Sequence, residues 1–331
     1  MRMFDAGHAP IHYRCYGEGR PVLLIHGLGG SGADWVLQIP ALERRFRLIV
    51  PDLPGCGASA PPRGGCSVAG FAETLWSLLD DLNVRQTDIV GFSMGGAVAL
   101  EMALQRPAAV PRLALINSLA TYGDQWRKWM YARSWGVLIR LLGMRRAARI
   151  FAAGLFPQPW QQAFRDRAEA VVAAVPAASY LSMSRALEKW EAIDRLDRLQ
   201  SRTLIIAAEH DHTPLAEKQA LAIRLGAFLV VVHGSRHGTP FDSSAATNSS
   251  LIALLTDRPL LACGRLACDS PTRAQAEFLR IRSRALELLG DDDDCVLPWR
   301  ASCESVRSGA AAQNAPSTAV RGSAIAAGRP V

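Results

Sequence analysis

Gly91-Phe92-Ser93-Met94-Gly95 places a serine at the centre of a Gly-x-Ser-x-Gly pattern. Thr87-Asp88-Ile89-Val90 before it reads as the end of a buried strand, and Gly95-Gly96-Ala97-Val98-Ala99-Leu100-Glu101-Met102-Ala103-Leu104 after it as a helix whose first turn lacks bulk. A strand that turns sharply into a helix holds the corner residue in a strained conformation with its side chain exposed, and flanking glycines let the two elements approach without clashing. Five residues alone could match by chance in a loop, with Ser93 merely filling a tight corner. The surrounding pattern gives the match its weight.

From Ile11 to about Asp257, short apolar runs alternate with helical patterns. The strand candidates are Val22-Leu23-Leu24-Ile25, Phe46-Arg47-Leu48-Ile49-Val50, Ile89-Val90, Leu113-Ala114-Leu115-Ile116, Leu204-Ile205-Ile206-Ala207 and Phe228-Leu229-Val230-Val231-Val232. Uniformly apolar strands of this kind are buried on both faces, as in a parallel sheet covered by helices. Residues 33–45, 68–82 and 215–225 have helical length and spacing. The rhythm breaks between Thr121 and Leu199, where helical patterns carry Trp126, Trp129, Trp135, Trp160 and Trp190. This predicts a helical cap over the C-terminal edge of the sheet, where doubly wound sheets bind ligands. Two of the five tryptophans are expected to face the pocket. The expected fold class is α/β: a doubly wound, mostly parallel sheet with an inserted helical cap. Residues 1–120 and 200–257 form the core, 121–199 the cap, and 258–331 a C-terminal extension.

That extension changes character. Residues 271–289 could form one amphipathic helix, Asp291-Asp292-Asp293-Asp294 is an acidic run, and residues 308–331 are rich in Ala, Gly, Ser and Pro, a composition expected to be partly disordered. Four adjacent aspartates in a tail do not readily converge on one ion.

The 331 residues have room for one large domain with an insertion and a tail, and 49% hydrophobic content suffices for a sizeable core. No apolar run approaches the ~18–20 residues that span a bilayer, and the N-terminus lacks a secretory apolar stretch, so a cytoplasmic location is expected. The cysteines (Cys15, Cys56, Cys66, Cys263, Cys268, Cys295, Cys303) are odd in number and scattered, which argues against a disulfide framework. Cys263 and Cys268 lack the spacing and the histidine of a metal knuckle. The net charge of +7 is carried almost wholly by arginine, with lysine only at Lys128, Lys189 and Lys218, and carries no nucleic-acid signature. Arg127, Lys128, Arg133, Arg140, Arg145, Arg146 and Arg149 read as a solvated helical face, with room for a role toward an anionic substrate.

A serine is a poor nucleophile unless a histidine takes its proton and a carboxylate fixes that histidine's tautomer. Asp211 lies in the turn after the strand Leu204–Ala207, and His237 follows the next strand, so both are expected at the sheet edge that carries Ser93. Glu209 and Asp242 compete with Asp211; His233, His210 and His212 compete with His237. His233 sits at a strand end, too early for the loop that should carry the base.

With Ile25-His26-Gly27-Leu28-Gly29-Gly30, Asp52-Leu53-Pro54-Gly55-Cys56-Gly57-Ala58-Ser59 and the serine elbow, the chain resembles the α/β hydrolase superfamily over about residues 11–257. It departs where family members commonly carry histidine at Cys56, and where Arg236-His237 replaces the usual Gly-His. The resemblance implies a Ser93–His237–Asp211 triad and an oxyanion hole from the backbone N–H groups of Leu28 and Met94, whose side chains would also line the pocket. His26 would hold the oxyanion loop. Cleavage of a carboxylic ester or lactone through an acyl-enzyme is the implied reaction, on a small molecule, with no cofactor or metal. Cofactor-free haloperoxidases, carbon–carbon bond hydrolases and hydrolase-fold ligand receptors are the alternatives.

Overall fold

The computed structural model describes residues 2–5, 10–122, 126–259 and 264–267, with no account of the side chains of residues 126–132 and 264–267. Among the described residues nine strands form one sheet: β1 (Arg2–Asp5), β2 (Pro10–Tyr16), β3 (Arg20–Ile25), β4 (Phe46–Pro51), β5 (Asp88–Phe92), β6 (Arg112–Ile116), β7 (Arg202–Ala208), β8 (Phe228–His233) and β9 (Gly264–Ala267). Their order is β1-β2-β4-β3-β5-β6-β7-β8-β9. Only β1–β2 and β2–β4 pair antiparallel; every other neighbouring pair is parallel. The expected strands are all present. The antiparallel strands β1 and β2 and the far edge strand β9 are additional, and β9 falls within residues 258–331.

Alternation along the parallel strands explains why they are apolar throughout. Leu23, Ile25, Ile89, Leu113, Leu115 and Ile205 pack on one face, whereas Val22, Leu24, Val90, Ala114, Ile116, Leu204 and Ile206 pack on the other. Each face is covered by helices, so neither set of side chains meets water. The helices are α1 (Ile39–Leu42), α2 (Val68–Asp81), α3 (Met94–Gln105), α4 (Trp126–Leu155), α5 (Gln162–Ala174), α6 (Ala177–Glu188), α7 (Leu215–Leu225), α8 (Thr239–Asp242) and α9 (Ser244–Leu255). Helices α2, α3 and α7 cover the first face; α9 and Trp35 cover the second. The helix expected over residues 33–45 is instead a 3₁₀ turn at Gly32–Trp35 and the single turn α1. Pro40 explains the break, because its ring cannot extend a helix that runs in from the N-terminal side.

Between β6 and β7 the described residues form helices and their connections, with one bridge between Thr121 and Glu191. Helix α4 bends at Gly143, whose φ of 77° and ψ of 162° lie outside the helical region. Glu101 of α3 ties this segment to the core. Its carboxylate accepts from the Trp190 indole at 2.8 Å and from both terminal nitrogens of Arg195, at 3.0 and 2.8 Å. Burial alone would raise the Glu101 pKa, but these donors hold it below the usual value. No single helix among the described residues is long and apolar enough to cross a membrane. Residues 271–289, the acidic run, residues 308–331 and Cys263, Cys268, Cys295 and Cys303 lie outside the described residues; Cys15, Cys56 and Cys66 are free thiols.

Candidate active site

Strand β3 lies between β4 and β5, so the chain order reverses there and a crevice opens beyond the strand ends. Ile25 pairs with Gly91, which sets the loop after β3 beside the serine turn after β5. Ser93 itself has φ of 55° and ψ of −120°, the strained corner conformation expected of it. The glycines are required by contact with backbone. A Cβ on Gly91 would come within 2.3 Å of the Gly95 carbonyl oxygen, and one on Gly95 within 2.3 Å of the Ile25 carbonyl oxygen.

The three distant residues singled out from sequence meet at this point. Ser93 Oγ is 2.8 Å from His237 Nε2, and His237 Nδ1 is 2.7 Å from Asp211 Oδ1. The carboxylate accepts a hydrogen bond from the Nδ1–H and so leaves Nε2 as the acceptor facing the serine. Asn117, wholly buried at the end of β6, fixes the histidine loop to β7. Its side-chain nitrogen donates to the His237 carbonyl at 2.9 Å and its oxygen accepts the Ala208 N–H at 2.8 Å. Asp242 holds the same loop from behind, accepting from Ser235 Oγ at 2.7 Å and the Arg236 N–H at 3.2 Å. Of the other competitors, Glu209 pairs with His233 at 3.1 Å and lies 3.6 Å from His210, whereas His212 lies beside the triad.

Asp211 gathers further partners. Thr213 Oγ1 donates to its Oδ2 at 2.6 Å, and the fully buried Lys218 of α7 places its ammonium on the same oxygen and 3.2 Å from the Thr213 carbonyl. Burial opposes ionisation of Asp211, yet His237, Lys218 and His212 together pull its pKa far below the usual carboxylate range. Lys218 is itself pulled down, by burial. The His212 Nδ1 lies 3.2 Å from Asp211 Oδ1, and its ring centroid lies 4.1 Å from that of His237, with the planes tilted by 50°. Desolvation and the neighbouring His237 pull the His212 pKa down to about 3. Asp211, His212 and His237 are also the group among the described residues whose ligand atoms converge enough for a metal ion, within 4.8 Å of one another. Here those atoms hydrogen-bond to each other.

Opposite the serine, Leu28 sits in a turn closed by the Gly30 N–H to the Gly27 carbonyl at 3.1 Å. His26 locks that turn, with Nδ1 2.8 Å from the Gly27 carbonyl and Nε2 accepting the Leu53 N–H at 2.9 Å. Met94 is the first residue of α3, so its N–H has no acceptor within the helix. Its side chain, however, does not line the pocket. Residues 94–104 are buried on every side, and the methionine points into the core beneath the site. Leu28 does line it.

A cavity of about 490 Å³ runs from Ser93 and His237 up between the helices that follow β6. Its walls are mainly apolar: Leu28, Phe92, Leu119, Trp135, Phe151, Leu155, Phe156, Phe164, Val172 and Phe241. Of the tryptophans, Trp135 lines it, while Trp190 is buried against α3; the side chains of Trp126 and Trp129 lie outside the described residues. Arg167 of α5 interrupts the apolar wall. It is 2% exposed and 3.4 Å from Asp34, with Tyr180, Ser184 and Glu188 in the same lining. Cys56, under this roof, contacts Met183 of α6 at 3.5 Å, a soft neighbour that suits a thiol at this position.

A family model described as the alpha/beta hydrolase fold matches residues 20–243. The "Putative carbamate hydrolase RutD" of Stutzerimonas stutzeri is 30% identical over 272 residues, covering 78% of this chain and 99% of its own. A hydrolase structure from Pseudomonas aeruginosa superposes with a TM-score of 0.69 at 26% identity, over 77% of this chain and 97% of that one. The enol-lactonase of Burkholderia xenovorans has the same fold, with a TM-score of 0.71 at 23% identity over 77% of this chain and all of that one. This chain belongs to the α/β hydrolase fold family.

Proposed function

We propose that this protein is a serine hydrolase that cleaves a carboxylic ester or lactone through an acyl-enzyme. The observation that carries the reading is the unbroken relay from Ser93 through His237 to Asp211, with 2.8 and 2.7 Å steps, at the floor of an apolar cavity. In this reading His237 takes the Ser93 proton as the hydroxyl attacks the substrate carbonyl, and Asp211 stabilises the imidazolium. The Leu28 and Met94 N–H groups receive the oxyanion, a contribution worth about 10²–10³ in rate per donor. His237 returns the proton to the leaving alcohol, then activates water to release the acid.

The apolar walls favour an acyl or alkyl portion without charge, and the Arg167–Asp34 pair offers one polar foothold. The Stutzerimonas relative's name brings a carbamate as a second candidate, since its carbonyl is open to the same attack. Peroxide in place of water would make the same acyl-enzyme a perhydrolase. A panel of p-nitrophenyl esters, lactones and carbamates, with and without peroxide, separates these. Turnover of short-chain esters or lactones, falling at least about 10³-fold in Ser93→Ala, is the expected result. Tight ligand binding with no turnover of any member would instead indicate a receptor.

A further inference from the structure

Helix α4 carries seven cations, at residues 127, 128, 133, 140, 145, 146 and 149, and no acidic residue in its 30 positions. That equals the +7 net charge of the whole chain, so the rest of the protein is balanced. The same helix holds Val137, Leu141, Leu142 and Ile150, four of the seven large hydrophobic residues exposed among the described residues; Leu141 is 77% exposed. Arg140, Arg145, Arg146 and Arg149 are exposed beside them, and only Arg149 is drawn toward a carboxylate, Glu169 at 3.0 Å. The opposite side of the helix is already used. Ile139, Ala147, Ala148 and Ala152 are buried, and Trp135, Phe151 and Leu155 wall the cavity. The outward apolar side chains are therefore left largely uncovered among the described residues.

We propose that the outer face of α4 docks on an anionic lipid surface, with Leu141, Leu142 and Ile150 entering the headgroup boundary and Arg140, Arg145 and Arg146 holding lipid phosphates. A helix with exposed apolar residues flanked by arginines, and without anions, matches such a surface in both charge and hydrophobicity. A soluble polyanion would use the arginines and leave Leu141 in water. The bend at Gly143 lets the two halves of the helix follow the surface separately. Because the inner face of α4 is a wall of the cavity, docking would set that wall against lipid, where an apolar substrate concentrates.

Flotation of the full-length chain tests this, with vesicles of phosphatidylcholine alone and of equal parts phosphatidylcholine and phosphatidylglycerol. The expected result is flotation with the anionic vesicles only, weakened by salt. Replacing Leu141 and Ile150 by Gln should lower binding roughly tenfold per residue, and replacing Arg140, Arg145 and Arg146 by Gln about fivefold per residue. Thermal melts of each variant show that the fold is retained. Failure to float with anionic vesicles would overturn the proposal. So would flotation, or binding to heparin in its place, that depends on the arginines but not on Leu141 and Ile150, since the face would then be a site for soluble polyanions.

Discussion

Lys218 has no exposed surface and rests its ammonium on the oxygen of Asp211 that His237 does not use. Glu217 beside it on α7, His212 on the turn after β7 and Tyr122 after β6, whose phenol burial pushes up to about 12, are the other titratable groups around this pair. The ammonium offsets part of the carboxylate charge that would otherwise stabilise a protonated His237. Lys218→Met should therefore move the acid limb of the kcat/KM profile upward, because the imidazolium gains the full carboxylate. An unmoved limb with uniformly lower activity would assign Lys218 to packing alone. Ser93, Asp211 and His237 could be read from sequence because each follows a strand that is plain in the apolar pattern. Lys218 could not, since Glu217-Lys218 on a helix looks like a solvated face, and only its rarity among arginines set it apart. Asn117 gave no signal either, because its value lies in reaching a loop and a strand end more than 90 residues away.

Elements follow from sequence where burial is complete and blur where a single residue redirects the chain. The strand-elbow-helix unit around Ser93 is legible since Gly91 and Gly95 stand where any side chain would strike backbone. Gly95→Ala should lower stability by about 1–3 kcal/mol in denaturant melts, as overpacking against the carbonyls of Ile25 and His26 cannot be relieved by a rotamer change. A neutral result would mean that the elbow is less tightly packed than described. Glu101 makes the matching case for the tie between α3 and the helical segment. Glu101→Ala leaves the Trp190 indole without its acceptor and should cost about 1–3 kcal/mol. The bend at Gly143 and the split at Pro40 escaped the pattern, because helical spacing continues on both sides of each.

At the scale of the molecule, the carboxylates set the acid limit of stability. Burial would raise Asp52, but the His12 ring and the N–H groups of Ala58 and Gly32 hold it below its usual value, and Asp211 and Glu101 are likewise depressed. A depressed carboxylate stabilises the fold above its unfolded pKa and loses that share as pH falls, so these groups predict falling stability below about pH 4.5. Asp88, raised by burial despite Arg20 and Arg112, runs the other way and offsets part of this. Thermal melts across pH 3–8 check the sign.

The far edge of the sheet gives a second whole-molecule test. Pairing of β9 with β8 covers an edge that truncation after residue 259 would open, whereas truncation after 270 would not. The shorter chain should aggregate and the longer one stay soluble, as size-exclusion profiles would show. Composition marked this region as an extension but could not reveal that a strand within it returns to the sheet, since four residues carry no periodicity.

The central claim is that Ser93 is the nucleophile activated by His237. Intact-mass analysis after treatment with a fluorophosphonate tests it most directly. One adduct, mapped to Ser93, absent from Ser93→Ala and far slower to form in His237→Ala, is the result expected. A parent protein that stays unlabelled, or one labelled elsewhere while Ser93→Ala hydrolyses esters as the parent does, would contradict it.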